Sequence, residues 1–112
     1  MAQFDVYPNP VEELRDEQPY VMQLQSNFVH SPIARIAIPL ARIQASTQPM
    51  SKVNPRIEIA GESLLLDTLF IASFDPADLR RPVANLRADA DAIWSALDYV
   101  LHGYSNDNKT ST

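Results

Sequence analysis

Ile57-Glu58-Ile59-Ala60-Gly61-Glu62-Ser63-Leu64 decides how this chain folds. Two alternating apolar segments flank Gly61, one of only two glycines in the chain. Period-two alternation marks a half-buried strand, and a glycine free to take positive φ lets the chain reverse between two of them. The stretch therefore predicts an antiparallel hairpin. Its parts are a strand over Ile57–Ile59, a turn over 60–63, and a long apolar strand from Leu64 to Ser73 interrupted by Asp67.

Upstream, the nine prolines fall between or at the ends of short apolar runs. Proline cannot donate to a sheet ladder and breaks helix interiors, so short proline-bounded segments favour strands. Phe4–Tyr7 reads as a first strand, and the acidic stretch from Asn9 to Pro19 as a loop. In Tyr20–Gln25, Tyr20, Met22 and Leu24 share one face and Val21, Gln23 and Gln25 the other, the pattern of a half-buried strand. Ile33–Leu40 repeats it, with Ile36, Ile38 and Leu40 on one face and Arg35 and Ala37 on the other. Downstream, Arg87–His102 is rich in alanine and leucine and contains no proline. Ala90, Ile93, Leu97, Val100, Leu101 and Tyr104 recur at helical steps, so the segment predicts an amphipathic helix closed by Gly103 in the left-handed conformation. The expected architecture is mainly β: about five antiparallel strands in a small, partly open barrel, then one α-helix.

Composition sets the class. A chain of 112 residues allows one domain, expected over 1–104, and the wholly polar 105–112 reads as a disordered tail. Without cysteine there is no disulfide framework and no thiolate metal site. His30 and His102 stand 72 residues apart in sequence, so neither has a metal-spaced neighbour. Two glycines cannot build a phosphate cradle, and no cofactor is expected. No apolar stretch approaches the ~20 residues of a membrane span, and the first residues carry no signal-peptide blocks. A cytoplasmic protein is expected. Nine Lys and Arg against fourteen Asp and Glu give a net charge of −5, which argues against direct nucleic-acid binding and leaves only a local patch built on arginine.

No catalytic constellation stands out. Asp89 and Asp91 suit the first turns of a helix, where the macrodipole favours anions. Asp67 inside an apolar strand reads either as a functional carboxylate or as an outward or edge position. The informative region is the helix end, where Trp94, Tyr99, Leu101, His102 and Tyr104 crowd the last turns. A small protein with an amphipathic terminal helix and no catalytic set is most simply a binding protein. His102 and Gly103 read either as a favourable helix C-terminus or as a contact site. Phe28 and Val29 read either as a partner contact or as a loop anchor, and Trp94 as core or dimer seam.

Several motifs resemble the CcdB-type toxins, the gyrase poisons of plasmid-addiction modules. They are Gln3-Phe4-Asp5-Val6-Tyr7, Val21–Ser26 followed by Ile38-Pro39-Leu40-Ala41, Ile57–Ser63, and Val100-Leu101-His102-Gly103-Tyr104, in order and at matching spacing. The resemblance implies a small SH3-like barrel with a C-terminal helix and a symmetric homodimer, with Trp94 and Leu97 at its seam. It implies a non-catalytic toxin whose paired helix ends enter the A subunit of DNA gyrase, and a cognate CcdA-like antitoxin that releases it. Carried over residue by residue, Asp98, Leu101, His102, Gly103 and Tyr104 are the expected gyrase contacts. His102 stands where the family has tryptophan, and Tyr104 where it has a terminal isoleucine. Phe28 and Val29 are the expected antitoxin contacts, with Asn27 in place of an aspartate. The alternatives are an endoribonuclease toxin of the MazF and Kid type on the same barrel, using Arg35, Arg42 and Asp67, and a non-toxic antitoxin-binding relic.

Overall fold

The computed structural model describes residues 2–44 and 52–103. Tyr104 and the 105–112 segment lie outside the described residues. Seven strands form one antiparallel sheet: β1 (Asp5–Pro8), β2 (Tyr20–Gln23), β3 (Arg35–Arg42), β4 (Arg56–Ile59), β5 (Glu62–Leu66), β6 (Ala72–Phe74) and β7 (Ala84–Asn85). The helix α1 (Ala90–His102) follows a single 3-10 turn over Arg87–Asp89. The strand order β4-β5-β3-β2-β1-β7, with β6 also on β3, curls into a nearly closed barrel-like sheet.

The eight residues of β3 organise it. One edge of β3 pairs with β2, while the other pairs with β5 through Leu40–Arg42 and with β6 through Arg35–Ala37. The single strand expected from Leu64 to Ser73 is therefore two strands along one edge, separated by a 3-10 turn at Thr68–Phe70. Pro39 explains the break. It lies inside β3, not at the end of an apolar run, and its carbonyl accepts from Asp67 N at 2.8 Å on that same edge. An antiparallel residue presents its N–H and C=O to one side, and Pro39 has no N–H to offer there. The ladder stops where the donor is missing, and the chain loops out before rejoining β3.

Two further expectations are corrected. The turn has two central residues, Ala60 and Gly61, since Ile59 already pairs with Glu62. Both have positive φ, 51° and 82°, as the right-handed twist of a hairpin requires. Ala60 carries a Cβ in a region costing roughly 1–2 kcal/mol for an L-residue. Ala60→Asn, which tolerates that conformation, will raise stability by about 0.5–1 kcal/mol in urea denaturation, and an unchanged midpoint would refute the strain. Strand β2 is not half-buried: Val21, Met22 and Gln23 are all buried. Its alternation is real, but both faces are covered.

The covering layers differ. On one face Val6, Met22, Ile38, Leu40, Leu64 and Leu66 pack against Ile93 and Leu97 of α1. On the other, Tyr7, Val21 and Ala37 are closed by Leu79 from the segment after β6. The helix buries Ile93, Ala96 and Leu97. Leu101, expected in the apolar stripe, is 68% exposed.

Candidate binding surface at the helix end

The last turn of α1 ends by local rules. Gly103 sits at φ +82° and donates its N–H to Tyr99 O at 2.9 Å, closing the helix as a left-handed cap. His102 is the basic residue of that turn, and its Nδ1 lies 3.8 Å from Asp98 Oδ1 one turn earlier. Asp98, Leu101 and His102 are all exposed, and with Trp94 they continue one outward stripe at four- and three-residue steps. An exposed leucine thus stands beside an imidazole and a carboxylate, on a helix anchored by its opposite face.

Trp94 is 41% exposed and meets Phe4 edge to face, with ring centroids 5.6 Å apart. Leu97 is buried in the chain's own core. Phe28 is 93% exposed and Val29 53%, so neither is a loop anchor. The anchoring is done by neighbouring polar side chains. Asn27 Oδ1 accepts from Gln3 N at 2.7 Å, and Gln3 Nε2 donates to Leu24 O at 3.0 Å. Gln25 Nε2 donates to Val29 O at 3.0 Å. Gln3 and Phe4 thus connect the Phe28 loop to the Trp94 stretch of α1. The helix tip lies two turns beyond, about 12 Å along the axis. Phe4 does this at φ +72°, outside β1, with its N–H on Gln23 O and its carbonyl on Leu86 N. No alternation pattern reveals such a position.

The polar residues of the ribonuclease alternative do not converge. Arg35 and Arg42 are the two ends of β3, about 23 Å apart. Arg42 is engaged by Glu62 at 3.0 Å and by the carbonyls of Arg15 and Asp16. Asp67 lies between β5 and the 3-10 turn, in no strand; it is half-buried, its carbonyl accepts from Phe70 N, and its side chain accepts from Gln18 Nε2 at 3.2 Å. Burial pushes its carboxyl above the ordinary value and the Gln18 bond partly offsets this. A folded-state pKa above the unfolded one means the ionised carboxylate destabilises the fold. That cost is absent below the unfolded pKa and complete above the folded one. Asp67→Asn, which still accepts from Gln18, will melt higher than the parent at pH 7, and the two curves will merge below about pH 4. A variant that melts lower at pH 7 would refute this sign.

The fold defines a small barrel-like β protein with one C-terminal helix whose last turn is exposed. Comparison with protein families matches residues 3–103 to the CcdB protein family, and the chain belongs to that family. Its members are toxins of toxin–antitoxin modules, known to act without catalysis and to have gyrase and an antitoxin as partners. No curated protein matches the chain. No helix among the described residues is long and apolar enough to cross a membrane.

Proposed function

We propose that this protein is the toxin of a type II toxin–antitoxin module that inhibits DNA gyrase by binding its A subunit. The observation carrying the reading is the family match over 3–103 together with the exposed tip Asp98, Leu101, His102 and Gly103. The toxin acts in the cytoplasm as a homodimer whose paired tips wedge into the target. Leu101 supplies apolar area and the His102 ring stacks on guanidinium or aromatic groups. Trp94, half-exposed, serves the seam between copies; Leu97 supports it from beneath. Phe28 and Val29, displayed on a pinned loop, contact the CcdA-like antitoxin.

Acidity fits this mode of action, because the target is a protein subunit and no basic DNA face is required. A ribonuclease reading gains nothing from arginines at opposite strand ends. The test is induction in cells with wild-type gyrase, with and without the upstream reading frame. Growth arrest reversed by that partner, with gyrase–DNA cleavage complexes in extracts, is expected. No arrest in the native host, or arrest with intact gyrase function and cleaved RNA, would overturn the reading.

A further inference from the structure

Strand β4 is an outer edge of the sheet, because it pairs with β5 alone. In an antiparallel ladder each residue presents its N–H and C=O to one side, and successive residues alternate. The tight hairpin closes on the pair Ile59 and Glu62, and Leu66 N donates to Pro55 O at 2.9 Å. Pro55, Ile57 and Ile59 therefore direct their backbone groups to β5, and Arg56 and Glu58 direct theirs outward. Among the described residues nothing bonds to those outward groups. The side chains follow the same division. Arg56 and Glu58 are exposed, whereas Ile57 and Ile59 are buried in the larger core cluster. Glu62, on the same hairpin, is engaged by Arg42, but among the described residues neither Arg56 nor Glu58 forms an ion pair. The edge thus carries free backbone groups and two opposite, unspent charges.

Charges on an edge strand commonly keep other strands away. Here they select one partner instead, a second copy of the same edge. Two β4 strands laid antiparallel, with Ile57 facing Ile57 across a twofold axis, set Arg56 of each copy opposite Glu58 of the other. Those are also the residues with outward backbone groups, so each pair exchanges both N–H···O bonds. Hydrogen-bond register and charge therefore choose the same arrangement independently. A slip of two residues sets Arg56 on Arg56 or Glu58 on Glu58, and like charges directly opposite are destabilising. A slip of one residue sets outward backbone groups against inward ones. We propose that two copies of this chain associate through their β4 edges, in this register, as one continuous antiparallel sheet. The contact is isologous and closes on its own axis. It is short, which makes it weak and dependent on concentration. It uses neither Trp94 nor the helix tip, so in a protein already dimeric through α1 it links dimers into longer assemblies. The inference goes beyond the gyrase reading and stands or falls separately from it.

The test is sedimentation of the full chain from low micromolar to near-millimolar concentration. The parent is expected to gain mass with concentration beyond the species present at the lowest one. Arg56→Glu leaves only acidic groups on the edge, and Glu58→Arg only basic ones. Each variant alone will associate about tenfold more weakly, with an unchanged melting temperature because both side chains are exposed. Mixed one to one, the two variants will regain the association, since each acidic edge then meets a basic one. The double swap, Arg56→Glu with Glu58→Arg, will associate like the parent, and high salt will narrow all these differences. Should a single variant melt lower, amide exchange of the parent gives a second reading. The N–H groups of Arg56 and Glu58 will become protected as concentration rises. A parent whose mass does not grow with concentration, single variants that associate as it does, or a mixture no better than its components would overturn the proposal. So would Arg56 and Glu58 amides whose exchange ignores concentration. None of these outcomes depends on growth arrest.

Discussion

Ile38→Ala will destabilise the protein by about 2–5 kcal/mol, and Ile36→Ala by less than about 1 kcal/mol. The two isoleucines lie two residues apart on one face of β3, and alternation alone ranks them equal. Ile38 is fully buried, between β2 and α1 in the larger core cluster, so truncation removes transfer free energy and leaves a cavity the close-packed neighbours cannot fill. Ile36 is 42% exposed, and its loss is mostly a loss of surface. Total stability of such a domain is about 5–15 kcal/mol, so Ile38→Ala removes a large share of it. At roughly 4–8 °C per kcal/mol, the melting temperature will fall by about 10 °C or more. Urea denaturation of both variants measures the contrast, and equal midpoints would refute the layering of the core described above.

The second large effect is functional. Leu101→Asp combined with His102→Ala will relieve growth inhibition while the melting temperature stays close to the parent's. Leu101 is 68% exposed and the His102 side chain 63%, so neither supports the core. Helix termination rests on Gly103, which the double variant leaves intact. Loss of central contacts of this kind typically costs 2 kcal/mol or more in a complex, about thirtyfold in affinity. Purified variants tested for gyrase binding at equal concentration give the direct measurement. Phe28→Ala is the paired control: inhibition will persist and rescue by the antitoxin will weaken. A double variant that remains fully toxic at equal expression would remove the helix tip from the mechanism.

Much of the architecture is legible along the chain because local physics writes it there. The hairpin follows from alternation around Gly61, the helix from apolar steps of three and four, and its end from Gly103. Spacing of the motifs carried the family. Less of the surface could be read. Leu101 fits the helical stripe by spacing, yet the sheet is too short to cover the last turn, so it emerges exposed. Leu97 carries the same kind of label and is buried, because the helix meets the sheet one turn earlier. Asp67 resembles an interruption in a strand, whereas its cause lies 28 residues away in Pro39.

By itself, then, the sequence determined five strand segments, the helix and their order, though not β7 or the division of β5 from β6, since propensity, periodicity and turn chemistry act within a few residues. It also determined the acidity that argues against a nucleic-acid face. Only the tertiary structure decided which apolar residues are core and which are surface. It also closed both faces of β2 and split the second hairpin strand. Those outcomes depend on contacts between residues far apart in the chain, and no local pattern carries them.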